Sequence, residues 1–423
     1  MGIPDSGTGE ARPVTFPGPP GTHNGVEPEP SPTPPSPGFA QDPKKPERFI
    51  SLDAYRGFLM LVLATSAFQI HKIRPEFKSG RLWEFLSYQF EHHPWRSCSF
   101  WDLIQPSFMF MVGVAVPYSV ASRRAKGDSE RRILVHALWR SVVLVLLGVF
   151  ISSNGSTVRQ TDWTFVNVLS QIGLGYTALV FLQGRGFRLQ LAALAALLVG
   201  TWLCFVLYTP APGPVASGSW GLEDNFAAHF DLWFLNLFPP HAFTGNKGGY
   251  ATLNFIPSTA TMLIGVMAGE MLRGPRLPME KFKLLLAAGG ACFAASILSD
   301  PQILPYVRGG WVLCPIVKRI WTPSWALFCS GWTLSILAGF YWVIDVRGWK
   351  RWTFPFVVVG MNCTAMYCMW QMFKGWVLHS IEVHLGRGLF ETPYGPLWAS
   401  LAWTAVLWLI LYWMYRRKIF LKI

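Results

Sequence analysis

The stretch from Trp83 to Gly113 reads WEFLSYQFEHHPWRSCSFWDLIQPSFMFMVG. Its first half is polar and aromatic and carries His92, His93, Pro94 and Trp95; from near Asp102 onward it follows an apolar helical pattern. Burial alone does not ask for a histidine, a tryptophan and a carboxylate at the entrance to such a helix. The stretch reads as an active-site loop lying on the outer end of a transmembrane helix. His92 and Asp102 are its candidate catalytic pair.

The surrounding chain supports a membrane setting. It has 423 residues, of which 51% are hydrophobic and only 14% charged, with a mean hydropathy of +0.31; soluble domains carry about 25% charged residues. About ten apolar runs approach the ~20 residues a membrane-spanning helix needs. They lie near 53–70, 101–121, 131–152, 164–182, 188–208, 251–273, 281–298, 322–345, 353–379 and 397–415. The expected fold is therefore all-α: a polytopic membrane protein built as a bundle of about ten transmembrane helices over residues 49–423. Residues 1–48 are rich in proline and read as a disordered tail without the pattern of a cleaved signal peptide.

The net charge of +13 gathers at alternate helix ends, as in Arg123–Lys126, Arg131–Arg132, Arg273–Lys283, Arg347–Arg351 and Arg416–Lys418. That pattern sets orientation, with these ends and both termini cytoplasmic, and argues against nucleic-acid binding. The segment around His92 and the loops 209–250, 299–321 and 380–396 then face outward. The seven cysteines lie mostly inside apolar runs and imply no disulfide framework; only Cys98 and Cys314 fall in outward loops, where a bridge could form. No internal repeat points to an inverted-repeat transporter. Gly265 and Gly269, one helical turn apart, mark a close helix-packing face, within the chain or in a homodimer.

Several polar residues sit where lipid-facing apolar ones are expected. Asp53 and Arg56 are three apart and pair on one helix face; Arg56 is either half of a structural ion pair or a contact for a cofactor phosphate. Asp102 either caps its helix or orients the His92 imidazole. Arg132, His136 and Arg140 form a stripe at i, i+4 and i+8. Arg132 can snorkel to the interface, but Arg140 lies about 12 Å deeper and needs an anionic partner, which a phosphate supplies. Gln171, Asn254, Asn362 and Lys374 add to a polar interior spread over several helices.

The ordered blocks Ser51-Leu-Asp-Ala-Tyr-Arg-Gly57, His92-His-Pro-Trp95, Trp101-Asp-Leu-Ile-Gln-Pro106, Phe110-Met-Val-Gly113, Gly265-Val-Met-Ala-Gly269 and Gly360-Met-Asn362 resemble the transmembrane acyltransferases related to lysosomal heparan-alpha-glucosaminide N-acetyltransferase. The likeness covers about 49–423 and looks nearest to a bacterial branch of the group, which implies a multi-pass protein of the bacterial inner (plasma) membrane. The resemblance implies acetyl-CoA as co-substrate, bound with its nucleotide toward the cytoplasm, and an extracytoplasmic amino sugar or other glycan as acceptor. It implies no metal, and it leaves a homodimer open.

By that resemblance the essential histidine is His92, as general base or transient acyl carrier, and the aspartate is Asp102. Asn362 or Ser66 is the expected donor to the thioester oxyanion. Arg56, Arg132, Arg140, Gln171 and Asn254 are the expected cofactor contacts, and Trp95, Trp101 and Lys374 the expected acceptor contacts. Two departures stand out: a first-span asparagine of the family is replaced around Thr65-Ser66-Ala67, and an arginine of its fourth span appears here as Gln171. Lys318, Arg319 and Lys374 either meet an acidic glycan or, the plainer expectation, pair with Glu382, Glu391 or lipid phosphate. The competing function is a glycan or acyl-carrier transporter that uses the same cavity without chemistry.

Overall fold

A computed structural model describes residues 49–421, apart from 74–79, 93–94, 156–159, 210–218, 239–241, 305, 308 and 389. The expected tail at 1–48 lies outside the described residues. Among the described residues, thirteen α-helices follow in order: α1 (Ile50–Ala64), α2 (Arg81–Gln89), α3 (Ile104–Ala125), α4 (Glu130–Gly155), α5 (Val168–Leu182), α6 (Phe187–Leu207), α7 (Phe226–Phe234), α8 (Phe255–Arg273), α9 (Pro278–Ser299), α10 (Pro323–Tyr341), α11 (Phe354–Gly360), α12 (Cys363–Leu385) and α13 (Gly395–Arg416). The fold is an all-α polytopic membrane protein.

Among the described residues, eight helices, some extended by a short turn, are long and apolar enough to cross a membrane. A ninth span results if α11 and α12, bent by 67° at the Met361–Asn362 break, count as one. The remaining expected span, 164–182, is shorter than its apolar run: Asn167 caps α5 by accepting the Ser170 N–H at 2.9 Å, leaving a helix of 15 residues. The broken span coincides with a long-range contact. Asn362 leaves helical geometry at φ −130°, and its side chain bonds to the chain end, accepting from the Leu421 N–H and donating to the Ile419 carbonyl, both at 3.0 Å.

Close backbone approach sets the middle of the bundle. A methyl group at Gly265 would collide with the Phe110 carbonyl, and one at Gly269 with that of Val114, so α3 and α8 meet along a seam of backbone. The glycine pair is therefore buried within the chain and is not a dimer face. Such packing gains dispersion contacts that side chains would prevent, the main source of helix association where lipid removes the hydrophobic drive. Gly57 and Gly360 bring α1 against α11 in the same way. Around the seam lies the largest core, with Met109, Phe110, Leu179, Met262 and Trp325 fully buried.

Two helices occupy stretches expected as loops. The short, largely exposed α2 leads into the His92 segment, and α7, capped by Asn225, lies within 209–250. The helix ends that carry Arg123, Arg131, Arg273 and Arg416 form an arginine-rich end; the His92 segment belongs to the opposite, histidine end.

Candidate active site

Asp102 lies in the 3-10 turn Trp101–Leu103 that starts the third helix, and it is 2% exposed. Its carboxylate turns back to the residue that opens the turn, and the Asp102 N–H in return donates to the Ser99 hydroxyl at 3.3 Å, a reciprocal cap on the helix start. One oxygen accepts from the Ser99 N–H at 3.2 Å and the Ser99 hydroxyl at 3.1 Å. The other meets His92 Nδ1 at 2.8 Å and Lys318 Nζ at 2.9 Å. The two readings of Asp102 coexist: one oxygen serves the helix start and the other contacts the His92 imidazole.

The imidazole tautomer follows from chemistry. Trp101 donates its indole N–H to His92 Nε2 at 3.1 Å, and an indole nitrogen can only donate. With the indole donating to it, Nε2 carries the lone pair and Nδ1–H donates to Asp102, while the Lys318 ammonium, 3.1 Å from Nδ1, directs its own proton to the same carboxylate oxygen. The result is a neutral imidazole with its basic nitrogen turned away from the carboxylate, the arrangement a general base or a nucleophile requires.

Lys318 was not expected here. Its ammonium is buried, touches Asp102 and lies 3.1 Å from His92 Nδ1, so the expected pairing with Glu382, Glu391 or lipid is corrected. A buried carboxylate needs a compensating cation, and that need was the available signal. A separate clasp holds the lysine in place. Arg96 grips Asp300 with two bonds of 2.9 and 3.0 Å, and Asp300 accepts the Ile316 N–H at 2.8 Å. Arg96 and Val317 form the one isolated β-bridge among the described residues.

A cavity of about 230 Å³ begins at His92, Trp101, Tyr250 and Lys318. It passes Met60, Leu63, Ile104, Phe108, Met111, Leu144 and Ile172, and reaches Arg56, Arg140 and Thr364. The same three residues line a second cavity of about 630 Å³ at the arginine-rich end, with Asp53, Arg123, Lys126, His136 and Leu421. Polar ends thus flank an apolar middle. Arg140 donates to the Tyr176 hydroxyl at 3.0 Å and lies over that ring at 4.6 Å. Its Nε is buried without a partner, and no described carboxylate pairs with it.

Other expected site residues fall elsewhere. Arg132 is exposed and paired with Asp128 at 3.3 Å, outside both cavities. Gln171 is buried beside the first cavity without lining it. Asn254 donates to the Arg319 carbonyl at 2.7 Å and lines neither cavity. Asn362 bonds to the C-terminal segment through both amide atoms and lines neither cavity. Ser66 and Lys374 bond to each other at 3.4 Å, away from the cavity wall. Trp95 donates to the Trp220 carbonyl at 3.2 Å and lines a neighbouring groove with Trp220, Arg96 and Arg319. Gln105, one turn into the third helix from Asp102, does face the cavity. Cys98 and Cys314 are free thiols, and burial beside Asp102 pushes the Cys98 thiol up.

Residues 48–308 match the family model described as heparan-alpha-glucosaminide N-acetyltransferase, catalytic. The chain belongs to this family. His92, Asp102 and Arg140 lie inside the matched region, and Lys318 lies beyond it. Two curated relatives, the heparan-alpha-glucosaminide N-acetyltransferases of Homo sapiens and Mus musculus, are each 24% identical over 89% of this chain. The alignment spans 60% of the length of each relative.

Proposed function

We propose that this protein is a membrane acyltransferase that takes an acetyl group from acetyl-CoA at the arginine-rich end and delivers it to a sugar acceptor at the histidine end. The observation that carries this reading is the pair of cavities sharing Arg56, Arg140 and Thr364, the inner of which ends on His92. The clustered positive charge makes the arginine-rich end cytoplasmic, where acetyl-CoA is available. Arg140, Arg56 and Arg123 hold the nucleotide phosphates, and an arginine whose Nε lacks a partner suits such a ligand. The apolar middle accommodates the slender arm of the thioester and disfavours passage of a whole sugar.

At the far end, the acceptor oxygen or nitrogen attacks the thioester carbonyl while His92 Nε2 takes its proton. The imidazolium that forms is stabilised by Asp102, and the proton then passes to the departing thiolate. Direct attack by Nε2, giving a transient acetyl-imidazole, uses the same atoms. Gln105 replaces Asn362 and Ser66 as donor to the carbonyl oxygen. The acceptor is an amino sugar or related glycan, held in the groove of Trp95, Trp220 and Arg319.

The test is purified protein with labelled acetyl-CoA and terminal glucosamine acceptors. Acetyl-CoA should raise the melting temperature and label should appear on the sugar. Thermal protection without turnover on any sugar would favour the transporter reading instead.

A further inference from the structure

Two consecutive residues govern the two nitrogens of His92. Asp102 engages Nδ1 at 2.8 Å and Trp101 engages Nε2 at 3.1 Å. The indole and imidazole rings meet at 50° with centroids 6.0 Å apart, so Trp101 reaches Nε2 through its N–H and does not stack. That N–H is the only hydrogen-bonding group the indole has. Meanwhile the His92 side chain is 47% exposed, so water has access to the imidazole. A basic nitrogen next to an activated thioester would be expected to promote reaction with water as readily as with an acceptor.

We propose that Trp101 is a specificity-determining latch: its indole N–H occupies the Nε2 lone pair until a bound acceptor displaces it, which suppresses hydrolysis of the donor. This rests on the acyltransferase reading above. In the suppressed reaction the water oxygen bonds to the thioester carbonyl carbon and its proton passes to Nε2. The carbon–sulfur bond then breaks and the thiolate leaves with that proton, giving acetic acid and the CoA thiol. While the indole holds the lone pair, Nε2 has nowhere to take the proton. An acceptor seated in the adjoining groove brings its own hydroxyl or amine N–H to Nε2 and replaces the indole without leaving the nitrogen bare.

The latch is one neutral hydrogen bond, so it shifts the population by about three- to tenfold. The full-length Trp101→Phe variant keeps the ring and loses the donor. Two readouts apply. One is thiol release from acetyl-CoA without acceptor. The other is carbethoxylation of His92 by diethyl pyrocarbonate, followed by mass spectrometry, which reads the free lone pair without any turnover. Both should rise about three- to tenfold, and the added thiol release should vanish in Trp101→Phe/His92→Ala. In the wild type alone, His92 should react more slowly than the exposed His384, a measurement that needs no variant to fold. Equal reactivity of those two histidines, or unchanged carbethoxylation of His92 in Trp101→Phe, overturns the latch. Faster carbethoxylation with no thiol release from any form upholds the capped nitrogen and defeats the acyltransferase reading beneath it.

Discussion

The two ends of the cavity treat charge in opposite ways. At the histidine end the charged groups find partners inside the protein: Asp102 with His92 and Lys318, and Arg96 with Asp300. At the arginine-rich end Arg140 reaches only a tyrosine and leaves Nε unpartnered, while Arg123 and Arg132 share the single carboxylate of Asp128. Groups fixed by one another are suited to chemistry that needs a set geometry. Cations left short of anions are suited to a ligand that brings its own. The contrast separates where bonds would change from where affinity would originate.

The largest expected effect tests the first half of that contrast. His92→Ala should lower acetyl transfer by about 10²–10⁴-fold while CoA binding, read as thermal protection, stays within a few-fold; retained transfer would remove His92 from the mechanism. Lys318→Met comes next. It leaves the Asp102 carboxylate buried without its cation, which costs about 3–5 kcal/mol of stability. Adding Asp102→Asn to Lys318→Met should recover most of that loss, and a double-mutant cycle on thermal unfolding measures the recovery. Additive losses would mean the two groups are not coupled.

The second half of the contrast predicts a different signature. Arg140→Ala should raise the apparent KM for acetyl-CoA by about 10–100-fold, the worth of a charge-assisted contact, with kcat changed far less. A fall in kcat alone would move Arg140 from the binding end to the reacting end. The smallest effect is Arg132→Ala. Its pair with Asp128 is exposed and worth about 0–1 kcal/mol, so KM should shift less than about fivefold; a change as large as that of Arg140 would show that the stripe acts as one unit.

Much of this was readable in the chain. Long apolar runs mark the spans because a helix in lipid must satisfy its own backbone, and the His92–Asp102 pair lies within a single loop. What escaped reading depends on partners far away in sequence. Lys318 joins Asp102 across 216 positions, and no local pattern in 299–321 reveals it. Asn362 looks like a free polar group in an apolar run until Ile419 and Leu421 close on it, 57 and 59 positions later. The same contact accompanies the bend that divides the ninth run. Arg132 and Arg140 share a stripe in sequence, yet two turns of helix separate a solvated ion pair from a cavity wall.

The glycine seam between α3 and α8 bears on how anything crosses this molecule. Two helices whose backbones touch cannot tilt past each other without opening a void or driving side chains into carbonyls. A carrier that swings its halves alternately to each side would need some other hinge. With that wall stationary, the proposed reaction would need only a two-carbon fragment to be handed from one molecule to another, with donor and recipient each on its own side.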